Sequence, residues 1–286
     1  MFRPPAEAAS VLIRVADGCP HNSCAFCAMY RGVPYREHGA AEIGRAVARA
    51  ALLQPGARRV FLADGDVLAL PAPTLDAIIG TLRAAFPRLT RVNCYASGQA
   101  LAAKTDAELA DFHRAGLHTL YLGLESGSPQ VLANMAKAGS VEDMVQGCRR
   151  AREAGLTVSV MVLVGLGGRD LSAVHARETA AAVNAMQPDL LSFLRLVPVP
   201  GTPLERRIAS GRFRQLTEEE AVREARAILA DLDLRRTVFR ADHGSNVQPM
   251  AGRLPRDREA LLAELDELLA CGVLDASGTG PMPTLL

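Results

Sequence analysis

Short runs rich in β-branched residues alternate along this chain with amphipathic stretches of ten or more residues, and that alternation does most to limit what it can fold into. The runs fall at residues 11–15, 59–63, 91–96, 119–124, 157–164 and 190–197. Between them, residues 41–53, 75–86, 106–115, 141–154 and 172–186 carry apolar side chains at helical spacing. Gly56, Pro87, Gly116, Gly155 and Pro188 each follow a helical stretch, where a helix stops and a strand begins. Six βα units follow, and the fold class is α/β with a parallel sheet.

Beyond the Pro/Gly-rich passage at 197–203, a helix is expected over 218–232, a strand-like run at 237–241, a loop through Pro255 and a helix over 256–270. The last stretch, 272–286, reads as poorly ordered. The expected division is a core over 8–203 and a mainly helical extension over 204–286 that caps it. With 49% hydrophobic and 22% charged residues, 286 residues suffice for a sizeable core. The formal net charge of +1 supplies no global field for a polyanion or an acidic membrane. No apolar run reaches the roughly 18 residues of a spanning helix, so a cytoplasmic chain without a membrane partner is expected.

On parallel strands, alternate residues face the same way, and chemistry gathers at the C-terminal ends. Asn93, Tyr95 and Ser97 share one face, as do Thr119, Tyr121, Gly123 and Glu125; Ser159 shares one with Met161, and Arg195 is a lone charge in an apolar run. A polar cavity inside the sheet would explain them; mutual satisfaction in a closed core would serve as well for Asn93 and Ser159, and a core salt bridge for Arg195.

Three of the six cysteines lie within nine residues, in Gly18-Cys-Pro-His-Asn-Ser-Cys-Ala-Phe-Cys27, directly after the first strand. Three thiolates on one loop suit a cubane iron-sulfur cluster whose fourth iron is left open. A structural zinc would want a fourth ligand, for which His21 is available but sits close to Cys19. Cys94, Cys148 and Cys271 are isolated, in contexts suited to buried, inert thiols.

This cysteine loop resembles that of the radical S-adenosylmethionine superfamily, over about residues 11–203. The spacing is Cys-x4-Cys-x2-Cys where the family usually has Cys-x3-Cys-x2-Cys, and Phe26 matches the aromatic residue before the last cysteine. Gly123-Leu-Glu-Ser-Gly-Ser-Pro-Gln-Val-Leu132, followed by Met135 and Lys137, is similar to the fourth-strand segment of the subgroup with MiaB-like, Elp3-like and coproporphyrinogen-dehydrogenase-like enzymes. Ala63-Asp-Gly-Asp66 stands where the family has Gly-Gly-Glu, and Val164-Gly-Leu-Gly-Gly168 resembles the stretch that lies against adenine.

The resemblance implies a partial (β/α)6 barrel of the radical SAM type. It also implies a [4Fe-4S] cluster on Cys19, Cys24 and Cys27, with S-adenosyl-L-methionine on its open iron. The implied cofactor-binding residues are Phe26, Asp64, Gly65, Asp66, Ser97, Glu125 on the ribose, Ser126 and Gly165; Arg195, pointing inward by parity, is a further candidate, for the methionyl carboxylate or for an anionic substrate. An electron donor such as flavodoxin or ferredoxin would reduce the cluster, and the cleaved cofactor would give a 5'-deoxyadenosyl radical.

The run Phe239-Arg-Ala-Asp-His-Gly-Ser-Asn-Val-Gln-Pro249 brings Arg240, Asp242, His243, Asn246 and Gln248 into one loop. It reads as a lid at the barrel mouth, with Arg240 and His243 as candidate catalytic residues, or as a solvated connection. From Gly201 onward 12 basic and 14 acidic residues give no positive stripe, which disfavours nucleic acid and favours a small-molecule substrate. A tRNA- or protein-modifying radical enzyme and a non-catalytic iron-sulfur or zinc protein are the other readings.

Overall fold

In the computed structural model, which describes residues 3–281, the strands form where the β-branched runs stand. Ten helices, α1 (Ala40–Leu53), α2 (Ala72–Ala85), α3 (Gly98–Ala102), α4 (Asp106–Ala115), α5 (Pro129–Asn134), α6 (Val141–Glu153), α7 (Gly168–Met186), α8 (Pro203–Ala209), α9 (Glu218–Ala230) and α10 (Arg258–Ala270), occur among the described residues. The strands are β1 (Val11–Arg14), β2 (Ala16–Asp17), β3 (Arg36–Glu37), β4 (Arg59–Ala63), β5 (Arg91–Ala96), β6 (Leu117–Glu125), β7 (Thr157–Val164), β8 (Leu190–Arg195), β9 (Thr237–Arg240) and β10 (Ala251–Leu254). The fold is α/β with mostly parallel strands, as the alternation predicts.

The chain divides into two compact units and passes from one to the other five times, after residues 22, 28, 122 (in β6), 141 and 158 (in β7). The first unit comprises residues 1–22, 29–122 and 142–158, and its strands take the order β1-β4-β5-β6, all parallel. Val60, Phe61, Leu62, Val92 and Leu120 are fully buried there, and Phe61, Tyr95 and Tyr121 pack edge-on with ring centroids 5.1 to 6.3 Å apart. Helix α4 begins and ends where its sequence directs: Thr105 and Glu108 form a capping box, and Gly116 closes it at φ 108°.

The second unit comprises residues 23–28, 123–141 and 159 onward. Here β7, β8 and β9 are parallel and β10 runs antiparallel against β9. Phe193 and Phe239 meet edge-on at 5.0 Å, and α9, capped by a Thr217–Glu220 box, packs on α7 and α10.

Two expectations need correcting. The stretch between β9 and α10, read as loop, contains strand β10, whose Ala251-Gly-Arg-Leu254 carries no run of β-branched residues; its partner β9 makes it a strand. Residues 272–281, read as poorly ordered, are tied down: Gly278 O accepts from Glu218 N at 2.9 Å, and Asp275 N donates to Glu218 Oε2 at 2.9 Å. The rest of that expectation, residues 282–286, lies outside the described residues.

Candidate functional site

The residues singled out from the sequence fall into two groups, one in each unit. In the first, the 64–66 turn after β4 packs on the start of the cysteine loop. A Cβ on Gly65 would stand 2.4 Å from Gly18 O and 2.7 Å from Cys19 Cα, so only glycine fits. Tyr30 holds this turn, accepting from Gly65 N at 3.1 Å and donating to Asp64 Oδ1 at 3.3 Å, while Arg14 Nε lies 3.1 Å from Asp64 Oδ2. Burial raises the Asp64 pKa against the pull of Arg14, and burial also raises that of Tyr30. Asp66 Oδ1 accepts from Ser97 N at 3.2 Å, with His21 Nε2 3.9 Å from Oδ2. Ser97 itself caps α3, accepting from Ala100 N. Tyr30 and Arg14 escaped the sequence reading; a tyrosine three residues past the last cysteine is the signal that was there.

The polar cavity expected from strand parity is filled. Glu7, from a one-turn 3-10 helix at residues 5–7, is 3% exposed and reaches the inward face of the strands. Its Oε1 accepts from Asn93 Nδ2 at 2.8 Å and Tyr121 Oη at 2.6 Å, and its Oε2 from Ser10 Oγ at 2.5 Å. Asn93 Oδ1 in turn accepts from Thr119 N at 3.0 Å. Asn93, Thr119 and Tyr121 thus belong to a closed, satisfied cluster.

In the second unit the cysteine loop is anchored at Ala25, whose N donates to Met135 O at 2.7 Å and whose O accepts from Leu204 N at 3.0 Å. Ala25 is buried with Val131, Met135, Leu166, Leu196 and Leu204, and Phe26 packs on that cluster. At the end of β6, Glu125 adopts φ 61°, a conformation rare for a non-glycine residue. Its carboxylate folds back over Gly123: a Cβ there would stand 2.3 Å from Glu125 Oε1 and 3.7 Å from Lys137 Nζ. Desolvation raises the Glu125 pKa, and the Lys137 ammonium opposes it. At the end of β7, Gly165 N donates to Glu224 Oε1 at 2.5 Å.

Arg195 is occupied otherwise than expected for a free guanidinium awaiting a carboxylate. Its Nε, Nη1 and Nη2 donate to the carbonyls of Ser245, Thr279 and Pro281 at 2.7, 3.0 and 3.1 Å. Burial lowers its pKa. In the 241–250 loop, His243 Nδ1 lies 2.8 Å from Ser245 Oγ and Asn246 Nδ2 donates to Phe193 O at 2.8 Å. Arg240 is exposed and pairs with Asp242 at 3.2 Å. Cys94 and Cys148 are buried as expected; Cys271 is exposed, because α10 ends there.

Cys19, Cys24 and Cys27 lie outside any disulfide at intermediate burial, thiols of the kind an iron-sulfur cluster takes, and the bare face of Gly65 keeps side-chain bulk away from Cys19; among the described residues no three His, Cys, Asp or Glu side chains are gathered as a metal site.

Residues 13–178 match the Radical SAM superfamily, more than half of the chain, and the protein belongs to that family. It is an enzyme of the radical SAM class, whose cofactors are a [4Fe-4S] cluster and S-adenosylmethionine. A biotin synthase of Methylobacterium radiotolerans is 26% identical over 203 residues, covering 70% of this chain and 58% of its own length. The chain spans little more than half of that relative. Among solved structures, methylornithine synthase superposes with a TM-score of 0.55 at 17% identity, over 91% of this chain and 81% of its own. The radical S-adenosylmethionine methyltransferase TsrM of Kitasatospora setae, solved with cobalamin and a [4Fe-4S] cluster bound, gives 0.55 at 21% identity, over 71% and 39%. These likenesses show the fold, that of the radical SAM partial barrels. Among the described residues no helix is long and apolar enough to cross a membrane.

Proposed function

We propose that Cys19, Cys24 and Cys27 hold one [4Fe-4S] cluster, that Glu125 takes the ribose hydroxyls of S-adenosylmethionine, and that the enzyme abstracts hydrogen from a small-molecule substrate in the cytoplasm. Bound there, the cluster and S-adenosylmethionine would supply one-electron cleavage chemistry giving a 5'-deoxyadenosyl radical, with a flavodoxin- or ferredoxin-like protein as the electron donor. The protein's part is to bind, orient and exclude water. The observation that carries the reading is the Glu125 carboxylate, held at a strand's C-terminal end by a left-handed backbone and folded over a glycine. One carboxylate can accept from two neighbouring hydroxyls, which is what a ribose presents. Phe26 and Gly165 supply a flat apolar face and a backbone without side chain, suited to adenine. The near balance of charge beyond Gly201 favours a small molecule over tRNA.

The test is anaerobic reconstitution with iron and sulfide, reduction with dithionite, and assay of 5'-deoxyadenosine. Wild type is expected to bind about four irons and to release 5'-deoxyadenosine. The triple variant Cys19→Ala, Cys24→Ala, Cys27→Ala is expected to hold none and release none. Iron retained in the triple variant would overturn the cluster assignment. Glu125→Gln should keep the iron and bind S-adenosylmethionine about tenfold more weakly, the equivalent of losing one charge-assisted hydrogen bond. Unchanged affinity would remove Glu125 from the ribose.

A further inference from the structure

The loops that follow β6 and β7 are held by buried polar side chains from α7, α9 and the end of β6. Glu224 on α9 accepts from Gly165 N at 2.5 Å through Oε1 and from Ser172 Oγ through Oε2. His175 on α7 places Nδ1 2.8 Å from Ser126 Oγ, while its Nε2 lies against Glu224 Oε1 at 3.5 Å without a hydrogen bond. Ser126 Oγ accepts from Ser128 N at 3.0 Å, and Thr179 Oγ1, one turn beyond His175, accepts from Gly127 N at 2.9 Å. Ser126, His175 and Thr179 are 0% exposed and Glu224 is 3% exposed.

A buried backbone N–H must find an acceptor, and in most loops another backbone group supplies it. Here the amides of Gly127, Ser128 and Gly165 are each satisfied by a side chain, so the conformation of both loops depends on residues of α7, α9 and β6's own end. The loop after β6 has no slack: a Cβ on Gly127 would stand 2.2 Å from Glu178 O. Burying a carboxylate beside a histidine is also costly compared with an apolar packing of the same volume. Burial pushes Glu224 up to about 7 and His175 down to about 4. Among the charged groups on the surrounding elements, Glu220 pairs with Arg169, Glu178 with Arg177, Asp170 with Arg214, Glu219 with Arg223 and Asp266 with Arg226, and Glu125 faces Lys137.

We propose that Glu224 and His175 are positioning residues for the cofactor: they hold the Ser126–Gly127–Ser128 and Gly165 backbones in the geometry that receives the nucleotide, which makes α9 a working part of the site. The inference rests on the reading above that these loops face S-adenosylmethionine. A charged Glu224 is a stronger acceptor for Gly165 N–H than a neutral one. The loops are therefore firmest, and the cofactor is held tightest, above the pH at which Glu224 loses its proton.

Two measurements test it, on Glu224→Ala, which removes the acceptor, and Glu224→Gln, which keeps one and loses the charge. The first is amide hydrogen exchange on the protein without S-adenosylmethionine. Exchange at Gly165 and Gly127 should accelerate at least tenfold in Glu224→Ala, while α4 amides keep their protection. Unchanged exchange at both glycines overturns the inference whatever the cofactor does. The second is the affinity of the reconstituted protein for S-adenosylmethionine between pH 6 and 8.5. Wild-type affinity should rise two- to fivefold across that range beyond any rise in Glu224→Gln, and Glu224→Ala should bind about tenfold more weakly with no such excess. Glu125 is present in all three proteins, so a pH dependence they share belongs to it and the excess in wild type reports Glu224. Identical pH profiles for wild type and Glu224→Gln would show that the network is core packing without influence on the cofactor. Absence of binding by wild type would overturn the proposed function itself, with the exchange result still deciding whether the network holds the loops.

Discussion

Glu7 and Glu224 are both 3% exposed, and each anchors a buried polar cluster, yet the clusters differ in what they hold. Glu7 binds Asn93 and Tyr121 in the body of two strands, and Ser10 just ahead of the N-terminal end of β1. Glu224 binds a backbone amide just beyond the end of β7, and His175, packed against it at 3.5 Å, hydrogen-bonds Ser126 in the turn beyond β6. In parallel α/β folds the body of the strands carries stability and their C-terminal ends carry chemistry. The same residue, buried to the same degree, is therefore expected to matter for folding in one place and for the cofactor in the other.

The largest effect should come from Glu7→Ala. It leaves Asn93 Nδ2 and Tyr121 Oη buried without their acceptor, and about 3 kcal/mol of stability should be lost. Urea unfolding of the variant would measure it, and the affinity of the surviving folded protein for S-adenosylmethionine should not change. Glu7→Gln, which keeps an acceptor oxygen, should lose about 1 kcal/mol. A weakened affinity with intact stability would reverse the roles given to the two glutamates.

A smaller effect, with a diagnostic sign, lies in the pH dependence of stability. Glu224 sits at about 7 in the folded protein against an ordinary 4.5, so between those values the folded state holds the extra proton and stability falls as pH rises. His175 sits at about 4 against an ordinary 6.5, so over that range the unfolded state holds the extra proton and stability rises with pH. The two slopes oppose one another over the shared window from 4.5 to 6.5. Glu224→Gln should unmask a rise with pH, and His175→Gln a fall, each on the order of 2 kcal/mol across the window. Unfolding at several pH values would show it, and slopes of the same sign in the two variants would break the pairing.

How much of this was legible in the sequence depended on how local the signal was. The five main parallel strands from β4 to β8 and the long helices follow from periodicity, and all were found within a few residues. The cysteine loop and the Gly-Leu-Glu-Ser segment carry motifs that need no structure. Glu7 was hidden because a single 3-10 turn in a polar, proline-bearing segment has no period, and its partners lie 86 and 114 residues away. Glu224 and His175 were visible in principle. Glu224 falls on the helix face of Ala221 and Ile228, and His175 on that of Thr179, Val183 and Met186, so each is a polar residue on an apolar stripe. Arg195 was noticed by that logic, but its partners, the carbonyls of Ser245, Thr279 and Pro281, could not be read from strand parity.

The smallest effect is expected at Arg240, and it serves as the control on the whole contrast. Arg240 belongs to the same loop region as His243 and is charged like the residues argued above, but its ion pair with Asp242 is open to solvent, with both side chains about half exposed. Water competes for both partners, and an exposed pair contributes about 0.5 kcal/mol or less. Arg240→Ala should therefore leave stability within that margin and leave the affinity for S-adenosylmethionine unchanged. Screening supplies a second check: raising the salt from about 0.05 to 0.5 M should shrink whatever difference remains, since the Debye length falls from about 14 to about 4 Å. The buried clusters, from which ions are excluded, should respond little to the same change. If Arg240→Ala instead weakened the cofactor as strongly as Glu224→Ala, burial would not be what separates the polar groups that position the site from those that do not, and the loop from Ala241 to Met250 would have to be assigned to the cofactor.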